Sequence, residues 1–135
     1  MKATARNLSI LFAAGCLGGL VNSLTAWVAG KYGITAIFDV SIAPRLTAGW
    51  LYPRIVWGGI WGALFLIPLF KGKTIGRGLF MSIGPTVVQL FIIFPHFANK
   101  GVMGLALGTF TPLFVIIFNA AWGITAAFWV KFARS

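Results

Sequence analysis

Acidic residues are almost absent from this chain of 135 residues. Asp39 is the only Asp or Glu, and the chain has one histidine, His96, and one cysteine, Cys16. A structural zinc site needs about four Cys or His ligands and a catalytic one about three protein ligands, so no metal site is expected in a single chain. Carboxylate relays of the kind found in proton pumps are excluded for the same reason. The sequence therefore predicts no bound cofactor or metal and no enzymatic activity.

Charged residues of both signs are scarce. Only 9% of the residues are charged and 59% are hydrophobic, whereas soluble domains have about 25% and about 45–50%. We therefore expect the lipid bilayer to be the solvent of this chain. Eleven Lys and Arg give a net charge of +10, but they stand where apolar runs stop. Because nucleic acid binding needs a continuous basic face, no nucleic acid partner is expected.

Long apolar runs are what the sequence has instead. At 1.5 Å per residue, about twenty residues cross the hydrocarbon core. The first run continues well beyond Cys16, which favours an uncleaved span over a signal or lipoprotein sequence. Gly84–Pro85 predicts a kink in the third run, and Thr111–Pro112 suits the start of the fourth. We predict one domain over residues 1–135, with spans at about 8–29, 51–70, 75–94 and 111–130.

Two connectors between these spans are apolar but broken. The first covers residues 32–50 and contains Asp39 and Pro44, and the second, after Pro95, is rich in glycine. Irregular backbone at membrane depth must be packed against protein. The predicted fold is an all-α membrane protein of four transmembrane helices with two apolar, Gly/Pro-broken extracytoplasmic connectors.

The distribution of Lys and Arg predicts the orientation. Four spans place both termini and the middle loop on one side with seven basic residues, against four on the other side. The positive-inside rule then places both termini in the cytoplasm of a multi-pass bacterial inner-membrane protein. The seven are Lys2, Arg6, Lys71, Lys73, Arg77, Lys131 and Arg134, and the four are Lys31, Arg45, Arg54 and Lys100.

Glycines at a spacing of four predict close contacts between helices. Gly15 and Gly19 form such a row in the first span, Gly58 and Gly62 in the second, and Gly123 belongs to a row of small residues in the fourth. Small residues let helix backbones approach closely in lipid. The sequence leaves open whether these contacts lie within one chain or between protomers.

Polar side chains inside the spans are the candidate solute path. Asn22, Gln89 and Asn119 belong to three different spans, and they either line a path or join helices by hydrogen bonds.

Four further charged or titratable residues are assigned to the outer side. Arg45 and Arg54 each follow a proline, with Asp39 and His96 on the same side. If these residues converge, the vestibule is electropositive and attracts anions; otherwise the two arginines anchor to lipid phosphates.

Short motifs recur along most of the chain. They are Gly15, Gly18 and Gly19, then Pro44–Arg45, Lys71 with Lys73, Gly78–Leu79, Gln89–Leu90–Phe91 and Phe94–Pro95. In these motifs the chain resembles YagU-type four-span inner-membrane proteins of unassigned function. The resemblance implies a topology and no activity, and this chain lacks the long first external loop of that family.

Two functional hypotheses follow. The first is a small oligomeric channel or transporter that prefers anionic or neutral solutes, because no carboxylate ring is available to select cations. The alternative is an accessory or scaffold subunit of a larger inner-membrane complex. The expected partners are the lipid bilayer and either further copies of this chain or a larger membrane protein.

Overall fold

The computed structural model describes residues 2–70 and 72–134. These residues are all-helical and include no strand, which confirms the all-α part of the predicted fold. Lys71, one of the basic residues counted for orientation, lies outside the described residues. The elements are α1 (Lys2–Lys31), α2 (Ile34–Ile37), α3 (Ala48–Trp61), a first 3₁₀ helix (Gly62–Leu66), α4 (Thr74–Met81), α5 (Ile83–Val88), a π-helix (Gln89–Phe97), a second 3₁₀ helix (Val102–Leu107) and α6 (Thr111–Arg134).

Three helical segments of the described chain are long and apolar enough to cross a membrane. They are Lys2–Lys31, Thr74–Phe97 and Thr111–Arg134. Each covers one of the predicted spans and extends beyond it by up to several residues. The α6 helix begins at Thr111, as the Thr111–Pro112 step predicts.

The second predicted span, 51–70, has a different form. The side chain of Thr47 caps α3 by accepting a hydrogen bond from the backbone N–H of Trp50 at 3.2 Å. The α-helix ends at Trp61 and continues only as the first 3₁₀ helix. Ile67 then adopts extended backbone, because a residue that precedes proline, here Pro68, is disfavoured in the helical conformation. The helix therefore ends several residues before the predicted boundary at residue 70.

The segment Thr74–Phe97 is interrupted, as Gly84–Pro85 predicts. The α-helical pattern breaks at Ser82, between α4 and α5. Pro85 has no N–H to donate to the carbonyl of Met81, one turn earlier, so the regular ladder of hydrogen bonds cannot continue there. Beyond Val88 the segment widens into the π-helix, which accommodates a second proline, Pro95.

The long elements pack antiparallel, and the side chains between them form three layers along the helix axes. At the end that holds both termini, here the terminal end, Leu11 of α1 packs with Val130 of α6 and with Phe65. At the opposite end, here the connector end, Ala29 of α1 packs with Phe114 of α6. Polar side chains occupy the middle. The α6 helix is antiparallel to α1 and also to Thr74–Phe97, so α1 and Thr74–Phe97 run in the same direction. The segment from Ala48 to Leu66 therefore returns the chain from the connector end to the terminal end.

Glycines form the close contacts between these helices within one chain. A Cβ atom on Gly15 would collide with the backbone carbonyl of Gly58, and one on Gly62 would collide with that of Leu11. On the other side of the bundle, Gly78 and Gly123 meet backbone to backbone. The predicted glycine rows are thus used within the monomer, and Gly78 is a partner that the rows did not include.

The two connectors pack on each other and on the bundle. The backbone N–H of Ser41 in the first donates to the carbonyl of Leu107 in the second at 2.8 Å. The Phe38 ring contacts the rings of Phe110 and Phe114 edge to face. Inside the first connector, the Thr35 hydroxyl donates to the carbonyl of Ile42. These contacts cover part of the irregular backbone of both connectors with protein.

Candidate functional site

A layer of polar side chains crosses the middle of the bundle. It lies between the two apolar layers and draws on every long element. We call it the polar layer, and its members are Asn22 and Ser23 of α1, Arg54 of α3, Thr86 of α5, Gln89 of the π-helix and Asn119 of α6.

The amide of Asn119 joins three of these elements. Its Oδ1 accepts a hydrogen bond from Nδ2 of Asn22 at 2.9 Å. Its own Nδ2 lies 3.1 Å from Oγ1 of Thr86 and 3.4 Å from Oε1 of Gln89. Asn119 itself is buried. Such bonds stabilise helix association by about 0.6 kcal/mol each, so the amides do join helices, which was one of the two alternatives.

Arg54 is the charged member of the polar layer, and it is half-buried. Its Nε donates to Oγ of Ser23 at 2.9 Å, and its Nη2 donates to Oδ1 of Asn22 at 3.0 Å. The guanidinium carbon lies 4.8 Å from the centre of the Trp50 ring, a cation–π contact. All these partners are neutral, and the structure records no ion pair among residues 2–70 and 72–134. The positive charge of Arg54 is therefore not balanced by a carboxylate within the described chain.

Two cavities adjoin Arg54. A central cavity of about 160 Å³ lies beside the polar layer, and a wider one of about 360 Å³ opens toward the connector end. Arg54 and Gln89 line both cavities. A water molecule needs about 10–15 Å³ of such volume, so the central cavity has room for several waters or a small anion. Its polar lining consists of Asn22, Ser23, Arg54, Gln89 and Asn119, together with the indole rings of Trp57, Trp61 and Trp122.

The indole groups of the central cavity differ in their hydrogen bonding. Nε1 of Trp122 donates to the backbone carbonyl of Gly58 at 3.2 Å. Nε1 of Trp61 is buried and has no partner in the described chain. An unpaired buried donor costs about 1–3 kcal/mol, so Trp61 retains a hydrogen-bond donor that no group of the described chain satisfies.

The structure brings together four of the seven candidate path residues: Asn22, Arg54, Gln89 and Asn119. The others, Asp39, Arg45 and His96, are exposed and line neither cavity beside Arg54. Arg45 lies in a separate groove with Lys31.

Asp39 neutralises neither arginine by an ion pair in the described structure, and no hydrogen bond between Asp39 and His96 is found there. Of the two arginines expected to converge on one vestibule, only Arg54 lines the cavities.

Three aromatic side chains beside the site were missed in the sequence. Trp50, Trp57 and Trp61 are four residues before, three after and seven after Arg54. These intervals put them on the same side of a helix as the arginine. A tryptophan stripe around an arginine in an apolar helix is a signal that could have predicted the lining.

A site for a metal ion is not formed in the part of the chain that the structure describes. No group of three His, Cys, Asp or Glu side chains comes together there. The donors of the polar layer are amides, a hydroxyl pair, indoles and a guanidinium. Such a set suits an anion or a neutral polar molecule.

No protein-family model, curated protein or solved structure matches this chain. The resemblance to YagU-type proteins therefore stays a prediction, and the function has to be argued from the site.

Proposed function

We propose that this chain is a small integral membrane transporter that binds an anionic or neutral polar solute at Arg54. One observation carries the proposal: Arg54 lies in the middle of an apolar bundle, lines two cavities and has only neutral partners. A charged side chain near the bilayer centre costs about 2.5–3.5 kcal/mol on insertion scales. An anion in the cavity offsets part of that cost by neutralising the guanidinium.

The polar layer prepares the site for such a solute. Hydrogen bonds to Ser23 and Asn22 hold the guanidinium plane in place, and the Trp50 ring packs against it. The hydrogen bonds described for Arg54 use Nε and Nη2, so Nη1 remains for a ligand. Preorganised donors bind an anion without the entropic cost of ordering them.

The direction of the chain supports four membrane crossings. The segment from Ala48 to Leu66 has 14 α-helical and 5 3₁₀-helical residues, which corresponds to about 31 Å. That length equals the hydrocarbon thickness of about 30 Å. The segment runs beside α1, and without it α1 and Thr74–Phe97 could not share one direction. With four crossings, the Lys and Arg distribution favours cytoplasmic termini in a bacterial inner membrane.

A route to the site is open from the connector end. The wider cavity leads from the connector end to Arg54, whereas Phe65, Leu11 and Met81 fill the layer between the site and the terminal end. A solute therefore leaves toward the terminal end only after this layer separates. We infer a carrier that opens alternately to the two sides of the membrane. Because the apolar layer at the terminal end has to separate, we expect assembly into an oligomer to support the helices.

Osmotic swelling of proteoliposomes tests the proposal. Liposomes with purified protein are exposed to potassium chloride, nitrate or formate with valinomycin, and to glycerol as a neutral solute. We expect at least one solute to enter faster than in protein-free liposomes. Arg54→Gln should reduce that excess rate about tenfold or more, and Arg54→Lys should retain part of it. The matched control is Arg45→Gln, because Arg45 is an exposed arginine outside both cavities.

Two results would contradict transport through this site. One is swelling no faster than in empty liposomes for every solute. The other is an equal rate for Arg54→Gln and Arg45→Gln.

The alternative, an accessory subunit of a larger complex, rests on surfaces free to dock a partner. The glycine faces are not such surfaces, because Gly15, Gly58 and Gly123 are covered by helices of the same chain. Absence of flux together with stoichiometric purification of one membrane partner would favour this alternative.

A further inference from the structure

A third cavity, separate from the polar layer, lies at the terminal end. It has a volume of about 360 Å³ and lies between the start of α4 and the last turns of α6. Its charged lining is wholly basic. The lining residues are Gly72, Thr74, Arg77, Ala127, Val130, Lys131 and Arg134.

Arg77 is the buried cation of this cavity, with only 7% of its surface exposed. Its Nη2 donates to the backbone carbonyls of Phe65 at 2.7 Å and Ile67 at 3.3 Å. The guanidinium also lies over the Phe65 ring, 5.2 Å from its centre. Nε of Arg77 is buried and has no hydrogen-bond partner in the described chain. A buried charged donor without a partner is costly, so Arg77 retains hydrogen-bonding capacity that no group of the described chain meets.

Two exposed cations complete the cavity. Lys131 and Arg134 stand on the last turn of α6, and both line the same cavity as Arg77, so the like charges repel. No acidic side chain relieves this repulsion, since Asp39 is the only one in the sequence and lies in the first connector. Three positive charges around one cavity therefore favour an anion of more than one negative charge or with several acceptor oxygens.

We propose that this cavity binds a phosphate group, held by Arg77, Lys131 and Arg134. Arginine presents a planar set of donors that matches phosphate oxygens, and lysine contributes a point charge. Gly72 and Thr74 lie at the start of α4, where helix amides without partners also favour negative charge. The group comes either from a phospholipid headgroup or from free phosphate, because both offer the same oxygens.

This phosphate site is distinct from the site at Arg54. Phe65 stands between them, with Arg77 over its ring on one side and the Trp122 ring at a centroid distance of 5.9 Å. The proposal therefore does not rest on transport, and either one can fail alone.

Phosphorus NMR on delipidated protein in a maltoside detergent, which contains no phosphorus, tests the site. One arm titrates inorganic phosphate and the other titrates dihexanoyl phosphatidylglycerol, and line broadening reports binding in each. We expect saturable binding in at least one arm. Binding of the lipid alone identifies a headgroup, and binding of inorganic phosphate identifies a site open to the free ion.

A charge-matched pair of variants ties the signal to the cavity. Lys131→Gln with Arg134→Gln removes two exposed cations from it, and Arg45→Gln with Lys100→Gln removes two exposed cations from the connectors. We expect the first pair to weaken binding about tenfold or more and the second to leave it unchanged, with equal circular dichroism. No binding in either arm, or equal binding by both double variants, would overturn the proposal.

Discussion

The contact between α4 and α6 supplies a sharp test of the packing, because two glycines of one helix have opposite surroundings. A Cβ atom on Gly78 would lie 2.5 Å from the carbonyl oxygen of Gly123 and 2.8 Å from Cα of Ile124. Carbon atoms in contact are normally about 3.5–4.0 Å apart. Both obstacles are backbone atoms, so the helices themselves must separate by about 1 Å. We expect Gly78→Ala to lower the free energy of unfolding by about 1–3 kcal/mol, as overpacking does.

Gly76 is the matched control, two residues earlier in α4. The nearest atom to a Cβ there is Cβ of Lys73, at an ordinary 3.6 Å. Gly76→Ala should therefore stabilise the chain by up to about 1 kcal/mol through helix propensity. Unfolding by SDS in mixed maltoside micelles, followed by circular dichroism, measures both variants. Equal unfolding midpoints for the two would refute the close backbone contact.

Three further predictions concern the polar layer, the indoles and the topology. Asn119→Leu should lower unfolding stability in the same SDS assay by about 1–2 kcal/mol, because it removes up to three hydrogen bonds worth about 0.6 kcal/mol each; a stability equal to wild type would contradict their role as helix joints. Trp122→Phe keeps an aromatic ring but loses the bond to a glycine carbonyl, and it should cost about 0.5–1.5 kcal/mol; no loss would show that bond to be dispensable. In a background without the native cysteine, Arg6→Cys and Lys131→Cys should react with an impermeant maleimide from the same side of the membrane, and Lys100→Cys from the other; labelling of the first two from opposite sides would exclude four crossings.

Most helix positions could be predicted from apolar runs, because a segment in lipid must satisfy its backbone internally. The segment 51–70 shows where this reasoning stops. A hydropathy profile does not include the steric effect of a proline on the residue before it. Because Ile67 precedes a proline, the helix ends early. Likewise, the break near Pro85 was predicted from the missing donor, but its widening into a π-helix at Gln89 depends on packing that no local pattern contains.

The same contrast between helices and irregular segments explains which site residues could be predicted. Asn22, Arg54 and Asn119 lie on regular α-helices, where register and burial follow from the sequence, and the structure brings them together with Gln89 at the start of the π-helix. Asp39 adopts a left-handed backbone conformation in an irregular connector, with φ of 58°. Where such a residue points depends on tertiary contacts, so its assignment to the vestibule had no local basis.

The scarcity of acidic residues bears on how the buried Arg77 and the half-buried Arg54 are held. An arginine paired with a carboxylate forms a neutral unit with little remaining affinity for a ligand, whereas an arginine held by neutral groups keeps its charge. Arg54 is held by a hydroxyl and an amide, and Arg77 by two backbone carbonyls. In a medium of low dielectric constant an unbalanced charge attracts an anion strongly. Introducing an internal carboxylate beside either arginine, for example by Ser23→Asp next to Arg54, should therefore abolish anion-dependent swelling while preserving the fold. Unchanged swelling in a folded Ser23→Asp variant would show that the charge of Arg54 is not what attracts the solute.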